Sequence, residues 1–109
     1  MKEPIVYIIT NRRNGAVYTG VSSNLVQRIY QHKMGQIPGF SQRYKCKMLV
    51  YYELCSTMDL AITREKQLKD GSRKKKLNLI ETMNPEWHDL YDFVCGKPWP
   101  YEHSNNKTA

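Results

Sequence analysis

Tyr7, Tyr18, Arg28, His32 and Glu65 are the side chains whose types and spacing could carry chemistry in this chain. Two phenols can hold or exchange protons, and Tyr7 and Tyr18 stand eleven residues apart across a turn signal. A guanidinium presents a planar fork that suits a phosphate and can steady charge in a transition state. His32 follows Arg28 by one helical turn, so both project from one helix face; its imidazole could donate to a leaving oxygen or hold a water. A carboxylate such as Glu65, facing a cleft, would bind a hard divalent cation and leave most coordination positions to water and phosphate. Each has a plainer reading. Tyrosines favour strands, an arginine or a histidine on an amphipathic helix is commonly solvated, and Glu65 can pair with Lys69 at i+4.

The elements that must position these residues can be read from the pattern. Ile5 to Thr10 is dense in β-branched and aromatic residues and reads as a strand buried on both faces. Asn11-Arg12-Arg13-Asn14-Gly15 supplies turn chemistry, and Ala16 to Gly20 is the return strand. If Asn11 pairs with Ala16, Tyr18 lies opposite Ile9 and shares a face with Tyr7; a slip of one residue puts the phenols on opposite faces.

Ser22, Ser23 or Asn24 can cap a helix with the apolar stripe Leu25, Val26 and Ile29, ending near Gly35. Residues 36–47 read as a loop and "KMLVYYE" (Lys47 to Glu53) as a third strand. Thr57 caps a second helix carrying Leu60, Ala61, Arg64, Glu65 and Leu68. Asp70-Gly71-Ser72 stops it and starts a third, over about 73–83, with Leu77, Ile80 and Met83 on its apolar side. Asn84-Pro85 ends that helix and could open a short final one. The order β-β-α-β-α-α gives an α/β fold: one domain over residues 1–95, followed by a loose C-terminal tail over 96–109.

"Val6-Tyr7-Ile8", "Tyr18-Thr19-Gly20", Arg28, His32 and Glu65, in that order, resemble the GIY-YIG nuclease superfamily over roughly residues 5–93. The resemblance implies a small three-stranded antiparallel sheet flanked by helices, and it lifts Glu65 above a simple salt bridge. It implies a phosphodiester hydrolase that uses one divalent metal ion, Mg2+ or else Mn2+, held by Glu65. Tyr7 would take the proton from the attacking water, with Tyr18 assisting. An ordinary phenol titrates near about 10, so this needs a lowered pKa or a proton relay, and Arg28 nearby would favour the phenolate. Several branches of the family have a lysine just after the second motif, where this chain has Val21; that cation must be absent or supplied from elsewhere.

The bulk properties agree. Seventeen basic residues against ten acidic ones give a net charge of +7, which points to a polyanionic partner. The segment from Lys69 to Lys76 holds five cations against one acid. Arg73, Lys74, Lys75 and Lys76 place positive charge at a helix N-terminus, against the helix dipole, which binding to phosphate would offset. Arg43 and Lys45, with Phe40 and Tyr44 beside them, suit backbone contact and base stacking. Three widely spaced cysteines, Cys46, Cys55 and Cys95, exclude a disulfide framework and zinc-finger spacing, and read as reduced thiols. No apolar stretch approaches a membrane span, and Glu3 and Pro4 spoil a signal peptide, so a cytoplasmic protein is expected.

The sequence therefore leads to a metal-dependent endonuclease acting on DNA rather than RNA, structure-specific or weakly sequence-specific, in repair or recombination. A nucleic-acid-binding module on the same fold, with weak or lost cleavage, is the alternative. A scaffold binding a protein partner through its tail is a third reading. A homodimer would suit the cutting of two strands, though nothing in the sequence requires one.

Overall fold

Every residue of Ile5–Thr10, strand β1, is buried, because β1 is the middle strand of its sheet and is covered on both faces. The computed structural model describes residues 3–100. After β1 come β2 (Val17–Ser22), α1 (Leu25–Lys33), α2 (Phe40–Arg43), β3 (Met48–Leu54), α3 (Met58–Asp70), α4 (Arg73–Met83) and α5 (Tyr91–Val94). The sheet is antiparallel throughout, in the order β2-β1-β3. The expected three-stranded sheet flanked by helices is thus present, with a short helix, α2, inside the expected loop and the short final helix, α5, beginning at Tyr91 instead of at Pro85.

Period-two alternation along β1 divides the interior. Ile5, Tyr7 and Ile9 pack with Leu25 and Ile29 of α1, and with Leu49 and Leu90. Val6 packs with Ala61 and Leu68 of α3, and Ile8 with Val50, Tyr51, Ile80 and Trp87. Each fully buried aliphatic side chain contributes roughly 1.5–3 kcal/mol, so β1 ties both layers to one strand. Opposite β1, strand β3 carries a bulge: Ile8 pairs with Tyr51 and Ile9 with Leu49, leaving Val50 as the extra residue.

Local chemistry explains the element ends. Asn14 takes the left-handed conformation in the hairpin turn, with φ of 57°. Asn24 caps α1 by accepting a hydrogen bond from Gln27 N, and Gly35 leaves that helix at φ 68°. Thr57 and Ser72 cap α3 and α4 in the same way, accepting from Leu60 N and Lys75 N. Val26 departs from the expected stripe of α1: it is exposed, and His32 takes the third buried place beside Leu25 and Ile29. Leu60 of α3 is likewise exposed.

The stretch after α4 also differs from expectation. Asn84 donates through its side-chain amide to Val50 O and His88 O, and accepts from His88 N. These bonds hold a non-helical turn, with Trp87 at φ 56°, so the next helix starts only at Tyr91. Packing continues beyond residue 95, where Trp99 lies edge-on to Phe93 at 4.8 Å between ring centres. The remainder of the expected tail, from residue 101, lies outside the described residues. Cys46, Cys55 and Cys95 are all free thiols, and among the described residues no helix is long and apolar enough to cross a membrane.

Candidate active site

The hairpin register decides where the phenols point. Tyr18 lies opposite Ile9 and Tyr7 lies opposite Gly20, so both tyrosines project from the α1 face of the sheet. Their ring centres are 6.5 Å apart. Gly20 makes the approach possible, because a Cβ there would come within 2.4 Å of the Tyr7 ring and hydroxyl. The glycine of the second motif is therefore a seat for the tyrosine of the first.

His32 closes the cluster from α1. It is 3% exposed, and its ring meets Tyr7 and Tyr18 edge-on at 5.6 and 5.5 Å. Its Nε2 lies 2.7 Å from Tyr7 Oη and its Nδ1 lies 3.0 Å from Ser41 Oγ. Both ring nitrogens are engaged inside the protein, so this imidazole reaches a substrate only by way of Tyr7. Burial, and then the Arg28 guanidinium, push the His32 pKa down to about 4. The ring is neutral near pH 7. When Nδ1–H donates to Ser41, Nε2 is left to accept the Tyr7 proton.

Tyr7 does not have the lowered pKa that a free phenolate would require. Burial, reinforced by Tyr18, pushes it well above the ordinary phenol value. Arg28 pulls it down, as expected from the sequence, but is outweighed; Glu65 pushes it up again. Arg28 and Glu65 thus both act electrostatically on Tyr7, one from α1 and the other from α3. Glu65 is largely buried and pairs with Lys69 Nζ at 3.4 Å. That ammonium also sits 5.8 Å from the centre of the Tyr18 ring. Lys69 therefore brings a cation to the tyrosine cluster from α3. Val21 instead packs beside Val6 and Ala61 on the other face of the sheet.

An aromatic row leads outward from the cluster. Phe40 stacks on Tyr18 with ring centres 6.4 Å apart and planes 20° from parallel. Tyr44 follows at 4.6 Å from Phe40, with the Arg43 guanidinium 5.8 Å from the Tyr44 ring. Phe40 and Tyr44 are exposed, as are Arg43 and Lys45. The basic run at the start of α4 is divided. Arg73 donates to Asn14 O at 2.9 Å and Gly15 O at 2.8 Å, clasping the hairpin turn. Lys74 is exposed, while Lys75 and Lys76 line a cavity between α3 and α4.

Tyr7, Tyr18 and His32 are in mutual contact, then, with Glu65 and Arg28 acting on Tyr7 and Arg43 at the outer end of the aromatic row. Ser41, Lys69 and the seating role of Gly20 escaped the sequence reading. Ser41 falls in the stretch that reads as a loop, and Lys69 reads as a partner of Glu65 and as the first cation of the basic run, not as a neighbour of Tyr18. Gly20 carried a signal, since it stands within the second motif. Among the described residues there is no group of three or more His, Cys, Asp or Glu side chains able to hold a metal. A lone carboxylate suits a magnesium ion, which keeps several waters and shares itself with substrate phosphate, and does not suit zinc or calcium. On that ground Glu65 fits the expected ion.

The family model described as the GIY-YIG catalytic domain matches residues 3–78. The chain is 35% identical over 80 residues to a UPF0213 protein of Staphylococcus saprophyticus, covering 73% of this chain and 96% of that protein. It is 35% identical over 81 residues to a UPF0213 protein of Staphylococcus haemolyticus, covering 74% of this chain and 98% of that one. A UPF0213 protein of Staphylococcus aureus is 33% identical over 81 residues, with the same two shares. No solved structure gives a significant match.

Proposed function

Because the chain belongs to the GIY-YIG family of nuclease domains, we propose that it is a metal-dependent endonuclease hydrolysing phosphodiester bonds in DNA, with Tyr7 as the group that takes the proton of the attacking water. The observation that carries this reading is the 2.7 Å contact between Tyr7 Oη and His32 Nε2.

A buried phenol with a raised pKa is a poor base by prior ionisation. A phenol already donating to a neutral imidazole has another route. Its oxygen keeps lone pairs for a water O–H, so the water proton passes to Tyr7 Oη as the phenol proton passes to His32 Nε2. No free phenolate is needed. The imidazolium that forms is opposed by burial and by Arg28, so it is short-lived and passes its proton back to Tyr7 Oη as Tyr7 releases one to the departing oxygen or to solvent. A phosphate drawn to Arg28 weakens that opposition, which makes His32 more basic when substrate is bound. Tyr18 narrows the space around Tyr7 and orients the water, and Lys69 holds positive charge where the phosphate would lie. A magnesium ion held by Glu65 would supply Lewis-acid polarisation of the scissile phosphate.

Phe40 and Tyr44, exposed beside Arg43, offer ring surface for bases and so favour a substrate with locally unpaired strands over a long duplex recognition sequence. The second reading, a binding module with weak or lost cleavage, draws on the Glu65–Lys69 pair, which leaves that carboxylate with a partner of its own.

The test is cleavage of a labelled panel of duplex, single-stranded, flap and branched DNA, plus RNA, with Mg2+ or Mn2+. Tyr7→Phe and Glu65→Gln proteins run alongside, with binding measured in each. Metal-dependent cutting that falls about 100-fold or more in both variants, with binding retained, is the expected outcome. Absence of cutting on every substrate, with salt-sensitive binding in all three proteins, would establish the binding module instead.

A further inference from the structure

On the Ile8 side of the sheet, away from Tyr7, a cavity of about 600 Å3 opens between α3 and α4. None of Tyr7, Tyr18, Arg28, His32 or Glu65 lines it. Its wall extends along α4 to Thr82 and Met83, past residue 78, where the shared family segment stops. The cavity is thus separate from the candidate active site and partly built by residues outside the common unit.

Its lining has three kinds of surface. Leu68 and Leu79 give it an apolar wall. Gln67 and Asn78 present side-chain amides, each able to donate and accept. Lys75 and Lys76, from the first turn of α4, supply positive charge, and neither makes an ion pair among the described residues. Glu53, which is held by the lining residues Arg64 and Tyr51, is already satisfied. Arg64 donates to both of its oxygens at 3.0 and 3.1 Å, and the Tyr51 hydroxyl donates to it at 2.5 Å. The Arg64–Glu53 pair is therefore a neutral part of the wall, and the uncompensated charge is that of the two lysines.

We propose that this cavity is a nucleotide-binding site, distinct from the cleavage site, that takes a planar base against Leu68 and Leu79 and a phosphate on Lys75 and Lys76. The volume falls in the range of small-molecule sites, which combine a mainly apolar lining with a few placed polar groups. An aliphatic ligand would leave the amides without partners. A bare anion would leave the apolar wall uncovered. A base joined to a phosphate uses all three surfaces. The nucleotide can be free or can be the 5′-phosphorylated end of a strand, since the same chemistry is presented by both.

The test is titration of the 15N-labelled full chain with dAMP, with adenosine and inorganic phosphate as separate controls. A short 5′-phosphorylated oligonucleotide and its unphosphorylated counterpart follow. The expected result is saturable movement of the Leu68, Asn78 and Leu79 amides with dAMP, about tenfold weaker in a Lys75→Gln/Lys76→Gln protein and unchanged in Tyr7→Phe. Both lysine changes leave the core residue of α4, Ile80, in place, and the melting temperature of the double variant checks that the fold is kept. Movement of the same amides by the phosphorylated oligonucleotide alone assigns the source as a strand end, and also supports the site. No saturable movement with any nucleotide, the whole pattern reproduced by phosphate alone, or equal binding of adenosine and dAMP would each overturn it. None of these readouts depends on cleavage, so the site can stand or fall apart from the nuclease reading.

Discussion

Tyr7 and Gly20 are cross-strand partners, and the tyrosine ring lies so close over the glycine that a Cβ there would sit 2.4 Å from Cζ and Oη. The ring cannot yield easily, because it is 1% exposed and held by His32 at its hydroxyl. Gly20→Ala is therefore expected to destabilise the protein by about 1–3 kcal/mol through overpacking. It should also lengthen the Tyr7–His32 contact and lower any cleavage activity. Urea unfolding measures the first effect, and the imidazole 15N shifts of His32 report the second. A variant as stable as the wild type, with unchanged histidine shifts, would remove the seating role.

His32 gives the fold a pH dependence whose sign can be worked out. Its folded pKa, about 4, lies below its ordinary value of 6.5. Between those values the unfolded chain binds a proton that the folded chain refuses, so stability rises with pH across that window. The contribution is fully present above pH 6.5 and is lost as pH falls towards 4, by at most about 3 kcal/mol. His32→Gln should flatten the urea midpoint over this range and leave a drop only at lower pH, where carboxylates titrate. Glu53, held below its usual value by Arg64 and Tyr51 despite burial, accounts for part of that later drop. Equal slopes in the two proteins between pH 4 and 6.5 would show that His32 is not the titrating group.

Arg73 and its neighbouring lysines should separate in a salt titration. Arg73 is occupied with two backbone carbonyls of the hairpin turn, so Arg73→Ala is expected to lower stability by about 1–3 kcal/mol. The dependence of nucleic-acid affinity on salt should hardly change. Lys74→Gln leaves stability alone. If Lys74 contacts a phosphate, its loss reduces the slope of log K against log salt by about 0.9 for a duplex or 0.7 for a single strand. Thermal melting and binding at several salt concentrations distinguish the two behaviours.

Lys69 pairs with the Glu65 carboxylate and would compete with a divalent cation held there. Lys69→Gln should therefore tighten Mn2+ binding several-fold, read by paramagnetic broadening of resonances near Glu65. It should weaken binding of a phosphate-bearing substrate, because the ammonium beside Tyr18 is lost. Opposite signs for the two ligands are the diagnostic result. A fall in both affinities would mean that Lys69 chiefly holds α3 in place.

Most of this architecture was legible because it rests on local chemistry. The pairing of Asn11 with Ala16 that puts Tyr7 and Tyr18 on one face is the one found, with Tyr18 opposite Ile9. Asn24, Thr57 and Ser72 cap the three long helices. What stayed hidden depends on distance in the chain. Ser41 reaches His32 across nine residues, and Arg73 reaches the hairpin across 58. No period or propensity encodes either contact. His32 shows the same limit: a polar residue at a buried helix position reads as surface until its two partners are in place. The short final helix was misplaced because the side chain of Asn84 outcompetes helical hydrogen bonding from Pro85 onward.

The bulge at Val50 gives β3 one residue more than its pairing with β1 needs. Val50 and Tyr51 are neighbours in sequence, yet both belong to the Ile8 cluster, while Leu49 and Tyr52 lie towards the opposite layer. Strict alternation cannot produce that arrangement; only the extra residue can. A chain shortened by one codon at Val50 would keep its composition and strand propensity. Leu49 and Tyr51 would then alternate strictly and keep both their layers and their partners Ile9 and Ile8, and the loss would be the buried Val50 side chain, roughly 1.5–3 kcal/mol of packing in the Ile8 cluster. Val50 is therefore a place where a related chain can lose one residue and keep the register of the sheet, at the cost of that packing.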